Sequence, residues 1–224
     1  MSKQREIFDY YDERAPEYEA FYLGGIPAKI PDPALYRKDT SAISKLLAGC
    51  IGGECLDIAC GTGFWLPVYE KNCTRITLID QSESMLAECR QKIEKLGIEN
   101  KTEVIRGDLF DYPFEEHRYD SALAGFLLSH LSDAEEDSFF HILKRVLKIR
   151  GRFAIIDDVW NQQVAATGRA KAGQIKRTLS DGRQFEIYKR YFEKPDLYHL
   201  AERYDLKLEI LYWGRLFFLA TASL

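Results

Sequence analysis

Glu54-Cys55-Leu56-Asp57-Ile58-Ala59 runs directly into Cys60-Gly61-Thr62-Gly63, and behind that turn stands Phe64-Trp65-Leu66-Pro67-Val68-Tyr69-Glu70-Lys71. The first segment is a mostly apolar run of strand length. The second is a glycine turn, and the third can open a helix that tolerates Pro67 in its first turn. Strand, glycine turn and helix in that order begin an α/β unit. Working outward, residues 75–80 (RITLID) form the next apolar run, and Ser82 can cap a helix through Leu96 that stops at Gly97. A third strand is expected at 102–106 and a fourth at 119–126. Ser132-Asp133-Ala134-Glu135 then spells a capping box for a helix carrying Phe139, Ile142, Leu143, Val146 and Leu147, and 151–158 is the fifth strand. Such alternation predicts a doubly wound parallel sheet, covered on both faces by right-handed crossovers. Toward the end the pattern changes. Runs at 206–213 and 216–222, joined through Trp213-Gly214-Arg215, read as an antiparallel hairpin closing one sheet edge, after a short helix at 195–204.

At 224 residues the chain has room for one sizeable core, and 46% apolar with 29% charged residues is ordinary globular usage, which excludes disordered and low-complexity classes. The balance of 31 basic against 35 acidic residues, a net of −4, provides no electrostatic footprint for nucleic acid. No apolar run approaches the roughly 18 residues of a membrane helix, and the first twenty residues are charged, so a cytoplasmic protein without a membrane partner is expected, as a monomer or homodimer. The five cysteines contain no Cys-x-x-Cys pair and the four histidines are scattered, so reduced thiols packing as small hydrophobes are expected, not a disulfide framework or a zinc site. Residues 1–40, rich in tyrosine, proline and acid, are expected as a helical lid, with 41–224 as the main domain and a hairpin inserted at 174–191.

A glycine turn between strand and helix lets backbone N–H groups approach a ligand beyond the strand ends. Dinucleotide sites require Gly-x-Gly-x-x-Gly, but Leu66 stands at the third glycine position; the Gly-Lys-Ser/Thr of phosphate loops is absent as well. Instead Asp57 lies inside the strand, where it can meet a cationic group, and Asp80 ends the second strand, placed to accept from ribose hydroxyls. With Gly107-Asp108-Leu109 as a third polar contact, the set suits S-adenosylmethionine, which carries an ammonium, a ribose and an adenine but no phosphate.

From LDIACGTG through TLIDQSESML, GDLFDYPF and YDSALAGFLLSHL to the terminal hairpin, the chain resembles the class I S-adenosylmethionine-dependent methyltransferases over roughly residues 40–224. The resemblance implies a seven-stranded sheet of order 3-2-1-4-5-7-6, with the seventh strand antiparallel. It also implies S-adenosylhomocysteine as product. Carried over, Gly61 and Gly63 line the methionine end, Asp80 holds the ribose, Met85 packs near the adenine and Asp108 with Leu109 meets its amino edge; Asp57, Ala59, Gln81 and Phe126 are further expected cofactor-binding residues. Ala59 departs from the glycine usual there, and Ile149-Arg150-Gly151 from the usual proline-glycine turn. Met85 is equally readable as core filling. Tyr11 and Tyr18 are expected in the lid over the cofactor, or else as anchors on the domain surface. An NAD-dependent oxidoreductase, disfavoured by Leu66 and by the lack of a Tyr-x-x-x-Lys, and a non-catalytic adenosine-ligand-binding module are the competing readings.

The acceptor side is read from a few residues. His130, just beyond the fourth strand, is a candidate general base or a hydrogen-bonding residue. Asp157, Asp158 and Asn161 follow the fifth strand, but the accompanying acid after strand four is missing, so no metal is expected. In the hairpin IKRTLSDGRQFEIYKRY, the apolar faces of the two strands coincide only with an odd loop, Ser180-Asp181-Gly182. That register brings Arg177 and Lys189 onto one apolar face, where each cation needs an anionic partner. Two outcomes stand: a clamp for a small anionic acceptor, or a pairing of Arg177 with a structural acid such as Asp158 while Lys189 reaches water. The RTLSDGRQFEIYK stretch also resembles small-phosphonate O-methyltransferases, which implies oxygen, before nitrogen, as the methylated atom.

Overall fold

The computed structural model describes residues 3–23 and 32–224. Along the chain run α1 (Lys3–Arg14), α2 (Tyr18–Tyr22), α3 (Pro33–Leu47), β1 (Gly53–Ile58), α4 (Leu66–Tyr69), β2 (Cys73–Asp80), α5 (Glu83–Leu96), β3 (Thr102–Arg106), β4 (Tyr119–Gly125), α6 (Asp133–Val146) and β5 (Leu147–Asp158). Then follow α7 (Gln162–Ala165), β6 (Ala172–Thr178), β7 (Gln184–Arg190), α8 (Lys194–Arg203), β8 (Lys207–Trp213) and β9 (Phe217–Ser223).

Period-two alternation along the strands sends successive side chains to opposite faces, and each face finds its own helices. Cys55, Ile76, Leu78, Leu123, Ala154 and Phe217 pack with Ile43 and Leu47 of α3 and Leu86 and Ile93 of α5. Leu56, Ile58, Ala122, Phe153, Ile155 and Phe218 meet Phe139, Phe140 and Leu143 of α6 and Leu197 of α8 on the other face. The sheet order is β3-β2-β1-β4-β5-β9-β8, with β9 antiparallel to both neighbours. Numbering only the sheet's own strands, this is the expected 3-2-1-4-5-7-6. Local signals end the elements where they were read. Ser82 accepts from the Met85 N–H at 3.1 Å, and Gly97 closes α5 with φ +66°. The Ser132–Glu135 capping box starts α6. One segment is less helical than the alternation suggests: α4 has a single turn, Leu66–Tyr69, opened by Pro67, and Glu70–Asn72 tighten into a 3₁₀ turn before β2.

The inserted hairpin stands apart as a two-stranded sheet, β6 against β7, with Ile175 opposite Ile187 and Arg177 opposite Phe185. Its loop is the odd one, because the Leu179 N–H donates to Arg183 O at 2.9 Å and Gly182 takes φ +91°. The odd-numbered face packs on α1, where Ile7, Tyr10 and Tyr11 meet Ile175, Leu179, Phe185 and Ile187. The boundary expected at residue 40 falls inside α3, whose Tyr36, Ile43 and Leu47 are buried against the domain. Part of the expected lid, residues 24–31, lies outside the described residues. Among the described residues no helix is long and apolar enough to cross a membrane.

Candidate functional site

Where β1 and β4 diverge to opposite neighbours, their carboxyl ends leave a crevice, the usual ligand position in such sheets. Here it is a cavity of about 650 Å³. Its floor is the glycine turn, which needs left-handed backbone at Ala59 (φ +52°), Gly61 (φ +54°) and Gly63 (φ +68°). A Cβ on Gly61 would point between the Met85 Sδ and the Tyr18 ring, both 3.9 Å away, so bare backbone faces the cavity there. Gly63 serves a different purpose. A Cβ on it would lie 2.8 Å from Cys89 Sγ, so its absence lets the turn pack on α5.

Asp80 ties the turn to the end of β2. Its carboxylate accepts from the Gly61 N–H at 2.8 Å and the Ser82 N–H at 2.9 Å, and burial still pushes its pKa up from the ordinary carboxylate value. Both oxygens keep a further lone pair for a ligand hydroxyl. Gln81, Met85, Asp108 and Leu109 line the cavity from β2, α5 and the loop after β3. Phe126, left-handed at φ +59°, lines it from just beyond β4. Asp57, by contrast, is buried below the turn, where it accepts from the Tyr69 hydroxyl at 2.6 Å. Burial raises its pKa to about 7, opposed by the Tyr69 hydrogen bond and reinforced by Asp80.

The roof comes from the N-terminal helices. Tyr11 and Tyr18 line the cavity, and burial lifts the Tyr11 phenol to about 12 and Tyr18 higher still, so both are neutral donors. Asp12 accepts from Ser82 Oγ at 2.7 Å and from the Ser84 N–H at 3.1 Å, and Glu19 accepts from Thr62 Oγ1 at 2.7 Å. His130 joins roof to hairpin: its Nδ1 lies 2.7 Å from the Tyr188 carbonyl and its Nε2 2.8 Å from the Tyr11 hydroxyl. The carbonyl requires the proton on Nδ1, which leaves Nε2 to accept from Tyr11. Burial, with Lys189 nearby, holds the imidazole neutral, its pKa well below the ordinary value.

Thus Tyr11, Tyr18, Ala59, Gly61, Asp80, Gln81, Met85, Asp108, Leu109, Phe126 and His130 surround one cavity, whereas Asp57, Gly63, Arg177 and Lys189 do not line it. Lys189 is fully inside, ion-paired with Asp158 at 2.6 Å and Asp157 at 3.4 Å. Burial opposes its charge, yet the two carboxylates hold it protonated well above the usual lysine range. The sequence-level pairing of Asp158 with Arg177 is therefore corrected: Asp158 takes Lys189. Arg177 has a buried Nε without a partner. Sequence reasoning missed Gln174 and Tyr188 of the hairpin and Ser82, Glu135 and Leu127, all of which line the cavity. Ser82 and Glu135 carried signals as caps of α5 and α6; the others carried none, because the register that aims them is tertiary.

Residues 55–151 match a family model described as a methyltransferase domain. The demethylmenaquinone methyltransferase of Bacillus cytotoxicus is 26% identical over 152 residues, covering 66% of this chain and 59% of that protein. The Bacillus cereus protein of the same name is 26% identical over 154 residues with the same shares. The chain thus spans about 59% of the length of the curated relatives it matches. Among solved structures, a DhpI–SAH complex is 25% identical with a TM-score of 0.73, over 98% of this chain and 95% of that one. A DhpI–SAM–HEP complex is 24% identical with a TM-score of 0.79, over 99% and 98%. The PH0226 protein of Pyrococcus horikoshii, 20% identical, has a TM-score of 0.66 over 84% and 91%. The last two likenesses are of fold.

Proposed function

We propose that this chain, which carries a methyltransferase domain on a class I α/β sheet, uses S-adenosylmethionine to methylate an oxygen of a small anionic molecule. The observation that carries the cofactor reading is the cavity at the diverging ends of β1 and β4. It offers bare backbone at Gly61, the Asp80 carboxylate and a tyrosine roof. Arg177, half-buried on the hairpin, supports the anionic acceptor, since its Nε is buried without a partner and a ligand oxygen could supply one. Of the expected cationic pair, Lys189 already has Asp158 and Asp157; it steadies those acids beneath the site and leaves the acceptor's charge to Arg177.

In this reading Asp80 and Gln81 hold the ribose, Gly61 and Ala59 border the methionine end, and Asp108, Leu109 and Met85 enclose the adenine. The bound cofactor supplies an electrophilic methyl carbon, and in transfer the O–C bond forms as the S–C bond breaks, with the electron pair left on sulfur. The protein contributes alignment and exclusion of water by Tyr11 and Tyr18. An oxygen that is already anionic has no proton to lose, so His130 acts by holding Tyr11, not as a base.

Calorimetric titration with S-adenosylmethionine, S-adenosylhomocysteine and NAD tests the cofactor, and tighter binding of NAD overturns it. An acceptor panel of carboxylates, phosphates, phosphonates, alcohols and amines, read by released S-adenosylhomocysteine, tests the rest. Turnover confined to neutral amines would contradict the anionic oxygen acceptor.

A further inference from the structure

Thr62, between the two left-handed glycines of the turn, is 1% exposed and is gripped from two directions. Lys92 of α5 donates from Nζ to the Thr62 carbonyl at 3.0 Å, and Glu19 of α2 accepts from the Thr62 hydroxyl at 2.7 Å. An ion pair closes the grip, because Lys92 also reaches the same Glu19 Oε1 that takes the hydroxyl. Three elements far apart in sequence, the glycine turn, α5 and the N-terminal α2, therefore meet on one residue.

Helix periodicity aligns these contacts. Met85, Cys89 and Lys92 recur at i, i+4 and i+7, one face of α5, and all three address the turn. Met85 Sδ lies 3.9 Å from where a Gly61 Cβ would stand and Cys89 Sγ 2.8 Å from where a Gly63 Cβ would stand, while Lys92 takes the carbonyl between them. The Thr62–Gly63 peptide is thereby held at both ends, its N–H by the Cys60 carbonyl at 2.9 Å and its C=O by Lys92. With glycine on one side, that peptide can turn over at low steric cost once its carbonyl is released. Neither Lys92 nor Glu19 lines the cavity, so any effect on a ligand passes through the turn.

Resting on the methyltransferase reading, we propose that Lys92 and Glu19 form a clasp that links cofactor affinity to the seating of α2, with Lys92 as a positioning residue for the turn. The cofactor meets bare backbone at Gly61, so it binds the turn conformation that the clasp holds. Such coupling is reciprocal: the factor that a seated α2 adds to cofactor affinity is the factor that bound cofactor adds to the seating of α2. The Lys92 side chain is 19% exposed and that of Glu19 36%, so solvent screens the pair in part and keeps the coupling moderate.

The test is calorimetry with S-adenosylhomocysteine together with amide exchange over residues 15–23, both on the full chain. Lys92→Met, which keeps the apolar stem, and Glu19→Gln should each weaken S-adenosylhomocysteine binding about three- to tenfold. The double variant should lose less than the two single losses combined, since each breaks the same clasp. Lys92→Arg should recover most of the affinity, which loss of packing alone would not explain. In wild-type protein S-adenosylhomocysteine should slow exchange over residues 15–23, and in Lys92→Met it should slow it less. Arg90→Met, which breaks the exposed Arg90–Glu83 pair on the same helix, is the control and should leave both readouts unchanged. Should Lys92→Met not fold, Glu19→Gln at the more exposed partner carries the same test. Unchanged affinity in the folded variants, single losses that add in full, no slowing in loaded wild-type protein, or slowing undiminished in the variants overturns the clasp. Failure of wild-type protein to bind S-adenosylhomocysteine overturns the methyltransferase reading instead.

Discussion

Asp57 shows how a strand acid reads differently in sequence and in space. Its place before the glycine turn made it a partner for a ligand's amine, yet in the fold it sits under the turn against Tyr69. Its unfolded value is the ordinary 3.8 and its folded value about 7, because burial disfavours the charge. Across that window the folded chain keeps a proton that the unfolded chain has released. This contribution to stability is therefore full below pH about 3.8 and lost as pH rises through about 7. Asp57→Asn, which retains an acceptor for Tyr69, should flatten this part of the profile and raise the melting temperature relative to wild type at pH 8 more than at pH 5; thermal unfolding across pH checks it. Asp80, by contrast, was legible as a site residue from its position at a strand end, and it does line the cavity.

Among the elements, α5 and α6 were readable nearly to the residue, since caps and stops are local: Ser82, Gly97 and the Ser132–Glu135 box each act within a turn of themselves. The lid was not. The seating of these N-terminal helices depends on polar contacts between residues far apart in sequence, Asp12 with Ser82 and Ser84, Glu19 with Thr62, and Tyr11 with His130. Tyr11→Phe removes the donor and leaves the buried His130 Nε2 unsatisfied, at a cost of about 1–3 kcal/mol. We expect faster hydrogen exchange in α1 and readier proteolysis near residue 14, with the exchange of β1 and β4 unchanged. Equal exchange in both proteins would show that this hydrogen bond does not hold α1 in place.

At the scale of the molecule, the antiparallel edge is fastened by one buried acid from α3. Asp39, 1% exposed, accepts from the Leu216 N–H at 2.7 Å, the Phe217 N–H at 3.1 Å and the Tyr212 hydroxyl at 2.7 Å. Asp39→Ala leaves three donors in want of acceptors and should destabilise the chain by on the order of 3 kcal/mol or more, measured by denaturant unfolding. A loss below about 1 kcal/mol would mean that water replaces the carboxylate. Alternating strands and helices and the terminal hairpin determined a doubly wound parallel sheet with an antiparallel edge from sequence alone, because those signals are periodic and handed connections admit few topologies, whereas the strand order was implied by the resemblance to class I S-adenosylmethionine-dependent methyltransferases. The hairpin register followed from sequence too, since an apolar face cannot be split without exposing half of it. Which charges would be paired was decided only by the tertiary structure. Lys189 reaches Asp158 while Arg177 and Arg14 each keep a buried Nε without a partner, an arrangement set by how α1 and the hairpin pack across more than 160 residues of chain. Side-chain spacing within one element carries no information about a charge that arrives from another.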